Sequence, residues 1–140
     1  GGGAGGGGRH TMPRTFTLDE ARALLPEVRE IAETMRDHKR EFDRKRALLK
    51  DAGKHAGGNG HAPPDALAAQ RDAERLVEEI QERIRRLAAI GVEVKGIDEG
   101  LVDFPSEREG RIVYLCWRIG EPDILYWHDL DTGFRGRRPL

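Results

Sequence analysis

The stretch RIVYLCWRIGEPDILYWHD, residues 111–129, decides the fold. It holds two β-branched and aromatic runs, Arg111 to Arg118 and Ile124 to Asp129, separated by a turn around Gly120, Glu121 and Pro122. Side chains alternate across a strand, so Val113, Leu115 and Trp117 share one side of the first run and Tyr114, Cys116 and Arg118 the other. The second run separates Leu125 and Trp127 from Ile124, Tyr126 and His128. A turn with an odd number of residues joins Leu125 and Trp127 to Val113, Leu115 and Trp117, which makes an almost wholly apolar face. The even register mixes polar and apolar residues on both faces. The odd register is therefore expected, with those five residues buried against whatever covers the sheet.

Two shorter runs precede this hairpin, Val92 to Lys95 and Leu101 to Phe104, set off by Gly96, Gly100 and Gly110. Together they predict an antiparallel meander of three or four strands over 92–129, followed by a tail, 130–140. Extending the register puts Val102 and Phe104 in the core and Asp103 on the opposite face. That outer face then collects Asp103, Tyr114, Cys116, Arg118, Tyr126 and His128.

Upstream, Thr17-Leu18-Asp19-Glu20 has capping-box spacing, and Ala21, Leu24, Leu25, Val28, Ile31, Met35, Phe42 and Leu49 recur with helical period. Pro26 predicts a kink or restart near Leu24, with the helix running to about Lys50. A second stripe, Leu67, Ala69, Ala73, Leu76, Val77, Ile80, Ile84, Leu87 and Ile90, follows Asp65 as N-cap and ends at Gly91. The two helices form an antiparallel hairpin over 17–90, joined by a glycine-rich linker, 52–64. Each arm is much longer than the sheet, so part of each stripe lacks cover within the chain, and a homodimer through the helix stripes is expected. The glycine-rich segment 1–15 has nothing to bury and is expected to be disordered, with Met12 as the native start.

At 140 residues with 37% hydrophobic and 35% charged content, the chain suits one α+β domain, residues 16–140. A net charge of -1 gives no global attraction to nucleic acid or anionic membrane. A single cysteine excludes an intramolecular disulfide, and no apolar run reaches the ~20 residues of a membrane span, so a cytoplasmic address is expected. The cluster Arg36 to Arg46 also contains Asp37, Glu41 and Asp43 and reads as a solvated helix face. The terminal Arg135, Arg137 and Arg138 could contact an anion or dock on the domain.

The outer face admits several chemistries. Cys116, His128 and Asp103 are the residue types of a nucleophilic triad, with His128 as base and Asp103 orienting it, but no motif supplies an oxyanion site. Thiolate, imidazole and carboxylate are equally suitable ligands for a transition metal such as zinc, iron or copper. His10, His38, His55 and His61 have no metal-ligand spacing and read as solvated. In the plainest reading Cys116 is a small buried hydrophobe, His128 a satisfied hydrogen bonder, and the tyrosines pack on other surfaces. Tyrosine and arginine are also common anchors for a protein or small-molecule partner.

The string LVDFPSEREGRIVYLCWRIGEPDILYWHDLDTGFRGRRPL, residues 101–140, with FTLDEARALLPEVR, residues 16–29, resembles the uncharacterised bacterial family known as domain of unknown function 2203. Its distinctive elements are Leu101 to Pro105, Tyr114 to Trp117, Trp127-His128 and Gly133-Phe134. The resemblance excludes the glycine-rich start and the linker, and it implies no activity, substrate or cofactor. The favoured expectation is a non-catalytic binding or interaction module using the outer face. The alternative is a metal-binding protein or metalloenzyme with Cys116, His128 and Asp103 as ligands.

Overall fold

The structure is a computed structural model that describes residues 14–55 and 64–140. The segment 1–13, with His10 and Met12, lies outside the described residues, as do residues 56–63 of the expected linker, with His61, and the side chain of His55.

Helix α1 spans Leu18–His55 and α2 spans Pro64–Ile90. Strands β1 (Glu93–Gly96), β2 (Leu101–Arg108), β3 (Arg111–Arg118), β4 (Tyr126–His128) and β5 (Arg138–Pro139) follow, with a 3-10 turn at Phe134–Gly136. The five strands pair antiparallel in chain order. This is the expected α+β hairpin and meander with a strand added, because the segment read as a tail supplies β5.

The start of α1 is a reciprocal capping box. The Glu20 N–H donates to the Thr17 hydroxyl (3.1 Å) and the Thr17 N–H donates to the Glu20 carboxylate (2.8 Å). The restart expected at Pro26 does not occur, and α1 runs unbroken past Lys50 to His55. Proline forfeits one backbone hydrogen bond, but Leu25 and Val28 on either side of it are buried and hold both turns to one surface while Pro26 faces solvent. Helix α2 begins one residue before the expected N-cap: Pro64 occupies the first position, where its missing N–H costs nothing, and Asp65 falls in the first turn. Its end is a Schellman motif. Gly91 adopts φ 108°, its N–H donates to Ala88, and the Val92 N–H reaches back to the Leu87 carbonyl (2.9 Å).

With 38 residues, α1 is roughly 57 Å long at helical rise. Only its first half meets the sheet: Ala21, Leu25, Val28, Ile31, Ala32 and Met35 are buried there, with Ile80 and Leu87 of α2. Toward the far end of the hairpin Leu48 and Leu67 are exposed, and Ala66 takes the buried place expected of Leu67. Among the described residues no helix is long and apolar enough to cross a membrane.

The odd register holds. Leu115 lies opposite Trp127, Cys116 opposite Tyr126, and Asp103 opposite Cys116. Val102, Phe104, Val113, Leu115, Trp117 and Trp127 are buried on the helix side. Leu125 corrects the expectation: it is 38% exposed, and Ile124 is fully buried in its place. Alternation does not reach back to Leu125 because β4 begins only at Tyr126. The segment before it is a turn, pinned by the Arg22 guanidinium donating to the Ile124 carbonyl (2.9 Å) and by the Ile124 N–H donating to Asp123 (2.8 Å).

Strand β2 also continues past its expected end at Phe104, through Pro105 to Arg108. The Phe16 N–H donates to the Pro105 carbonyl (2.8 Å), so the backbone polar groups of Pro105 face the edge beyond β1, where no ladder bond requires its absent N–H. The Ser106 hydroxyl donates to the Phe16 carbonyl (2.6 Å) and closes this edge. Glu109 and Gly110, with φ 51° and 80°, form the two-residue turn into β3.

Candidate functional site

The sheet assembles its outer face from four strands. Asp103 and Cys116 are direct neighbours across β2 and β3, and His128 enters from β4 opposite Tyr114, one pair away from Cys116. The ligand atoms of Asp103, Cys116 and His128 all lie within 4.8 Å of one another. Among the described residues no other set of three or more histidine, cysteine and acidic side chains converges in this way. All three are buried, with exposures of 1%, 0% and 3%.

The hydrogen bonds fix how these groups face each other. The Asp129 carbonyl, 2.7 Å from His128 Nδ1, can only accept, so Nδ1 carries a proton. His128 Nε2 then points at both oxygens of Asp103, 3.1 Å from each. The Cys116 Sγ lies within 4.8 Å of the same carboxylate. Burial pushes the Asp103 carboxyl up, opposed by His128 and by the neighbouring Cys116 thiol. Burial, with the Asp103 charge beside it, pushes the Cys116 thiol up to about 12.

This order, imidazole to carboxylate to thiol, differs from a nucleophilic triad. Both ring nitrogens of His128 are engaged, one by a carbonyl and one by Asp103, and the sulfur faces the carboxylate. A reactive cysteine needs its thiol lowered by a neighbouring cation or base, whereas here it is raised. The same arrangement suits metal ligation. A ligating histidine characteristically donates its second N–H to a carbonyl or carboxylate, which fixes the tautomer and aims the other nitrogen at the ion, and the Asp129 carbonyl does this for His128.

The other expected site residues surround the cluster. Tyr114 packs its ring against His128 (centroids 5.4 Å apart) but turns its hydroxyl to Glu93 (2.9 Å). Burial and Glu93 raise its phenol. Tyr126 lies under the Arg137 guanidinium (4.0 Å), which also covers Phe134 (4.4 Å) and pairs with Glu121. Arg118 stands exposed at the rim, 5.7 Å from the Phe134 ring, and is not part of the cluster. Of the histidines read as solvated, His38 lies 3.8 Å from Glu79 in the helical hairpin, away from this face.

Three neighbours escaped the sequence reading, Glu93, Lys95 and Glu121, whereas Arg137, read as able to contact an anion or dock on the domain, docks on Tyr126 and Phe134 and pairs with Glu121. Lys95 sits 3.0 Å from Glu93 and 4.5 Å from the Tyr114 ring. Burial acts to lower its ammonium, and Glu93 together with Tyr114 and Asp103 outweighs this, so the net shift is upward. Alternation in β1 held the signal for Glu93 and Lys95, since Glu93 pairs with Asp103 and therefore shares its face. Glu121 and Arg137 meet across a turn and a tail for which no periodicity exists. No curated protein and no solved structure matches the chain. The match that exists is to a family and extends from residue 14 to residue 140: the chain belongs to the family described as uncharacterized conserved protein (DUF2203).

Proposed function

We propose that this protein binds a transition metal ion through Asp103, Cys116 and His128. The observation that carries this reading is the buried convergence of three different ligand atoms within 4.8 Å, with His128 Nδ1 donating to a carbonyl so that Nε2, which faces Asp103, is the nitrogen turned toward the other two ligands. Two of the ligands sit on directly paired central strands, so their spacing is set by the sheet and not by a mobile loop. A mixed sulfur, nitrogen and oxygen set suits zinc, or ferrous iron, better than magnesium or calcium, which prefer oxygen alone. Bound as thiolate, carboxylate and neutral imidazole, the ligands carry two negative charges and neutralise a divalent ion, which suits a site this dry.

The test is metal uptake by the intact chain. Dialysed against zinc, the protein is expected to retain one ion per chain by elemental analysis. With cobalt in its place, a thiolate charge-transfer band should appear, and Cys116→Ser should remove that band. A chain that retains no zinc, cobalt or iron, or a cobalt spectrum unaltered by Cys116→Ser, would overturn the assignment.

The rim of the same face supports a second, compatible reading as a non-catalytic interaction module. Arg118 is exposed beside Phe134, itself 37% exposed, and Tyr126 is half-buried beneath Arg137. Guanidinium and aromatic groups gathered in this way are the usual anchors of a protein contact. In this reading the ion orders the strands that present the rim. Cross-linking and sedimentation of Arg118→Ala and Phe134→Ala variants test it, because loss of an association with retention of metal would place the contact at the rim.

A further inference from the structure

The helix-side face of the sheet carries a second concentration of charge that the metal reading does not use. Register places Arg108 opposite Arg111 and Arg138 opposite Trp127, so alternation puts all three arginines on the face of Val113 and Leu115. They surround the Trp127 ring, with guanidinium carbons 4.5 Å (Arg108), 5.2 Å (Arg138) and 5.8 Å (Arg111) from its centroid. Each pair of guanidinium groups is therefore separated by no more than its two centroid distances together, about 11 Å at most.

Three like charges around one ring require anions, and the chain provides one. Asp129 pairs with Arg111 at 2.8 Å. Among the described residues Arg108 and Arg138 contact no carboxylate, and Arg108 Nε is a buried donor without a partner. Stacking on an indole uses the face of a guanidinium and leaves its in-plane N–H donors free. Two unneutralised forks thus remain beside the paired one.

We propose that Arg108, Arg111 and Arg138 bind a phosphate dianion. The uncompensated charge of the cluster, two positive, balances the two negative charges of the ligand. Three planar forks arriving from β2, β3 and β5 suit a tetrahedral group with several acceptor oxygens better than a planar carboxylate, which one fork can satisfy. Trp127 is only 6% exposed, so the ring supports the arginines and offers no free face to a base. The site therefore reads the phosphoryl group itself, whether free or esterified. It is independent of the metal reading, because Asp103, Cys116 and His128 belong to the opposite face.

Calorimetric titration of the full chain in phosphate-free, low-salt buffer, with inorganic phosphate and with adenosine monophosphate, tests this. Both are expected to bind saturably at one site, with affinities within about threefold of each other, and Arg108→Gln/Arg138→Gln should weaken both at least about tenfold. Arg138 is exposed, so Arg138→Gln alone keeps the test open if the double variant fails to fold, with an expected loss of about fivefold or more. The remote exposed variant Arg75→Gln should leave binding unchanged. The proposal is overturned if neither probe binds up to about 10 mM, if Arg138→Gln binds like the parent, or if the nucleotide binds more than about tenfold tighter than phosphate.

Discussion

Val102, Phe104 and Trp117 on one face of the sheet, and Asp103 and Cys116 on the other, alternate along the same two strands, and both sets are almost completely buried. The forces that keep them dry differ. On the helix side, α1 and α2 lay their first and last turns over aromatic and branched side chains, and each large side chain removed from water contributes roughly 1.5–3 kcal/mol. On the outer side, the cluster formed with His128 is covered by charged and aromatic neighbours, Lys95, Tyr114, Tyr126 and Arg137. Polar groups buried there gain little over their hydration in the unfolded chain, but removing one partner strands the other. The helix face therefore carries stability, and the outer face carries a defined chemistry that stability alone would not select.

That contrast predicts different responses to substitution. The largest loss is expected for Trp117→Ala, about 4 kcal/mol in urea denaturation, because it opens a cavity where the ring packs and frees the Glu121 carbonyl its indole N–H now reaches at 3.0 Å. Smaller, and of a different kind, is His128→Leu. It leaves the Asp103 carboxylate buried without its partner and should cost about 3 kcal/mol, while Asp103→Leu/His128→Leu should recover most of that loss. A double variant as unstable as the sum of its singles would show that the outer face is held by packing like the inner one. The finest comparison concerns neighbours: Ile124→Ala should cost about 2–3 kcal/mol and Leu125→Ala under about 0.5 kcal/mol, measured in the same denaturation series. Equal losses would mean that Leu125 is buried after all.

Much of the site was legible because strand alternation is a strong local rule. Val113, Leu115 and Trp117 against Tyr114, Cys116 and Arg118 follows from steric geometry within β3, and the preference for an unmixed apolar face then selected the register that brings Asp103, Cys116 and His128 together. The same rule failed at Leu125, where it was extended beyond the strand into a turn fixed by Arg22 and Asp123, partners from a helix and from the turn itself. It also could not foresee that Pro105 would be tolerated within β2. That depends on β1 starting only at Glu93, opposite Asp103, and on Phe16 supplying the hydrogen bond at the edge left uncovered.

The amino-acid sequence by itself determined the helix start at Thr17, the helix end at Gly91, the α+β order and the face of each residue within β2 and β3, because capping, positive-φ glycine and two-residue alternation act between near neighbours. Folding in three dimensions decided the rest. Whether α1 would pass through Pro26, whether the tail would become β5, which nitrogen of His128 would face Asp103, and that three arginines would meet around Trp127 all depend on contacts between residues far apart in the chain. Such contacts leave no period in the sequence, since each is set by the shape of the assembled sheet and not by the residues adjacent to it.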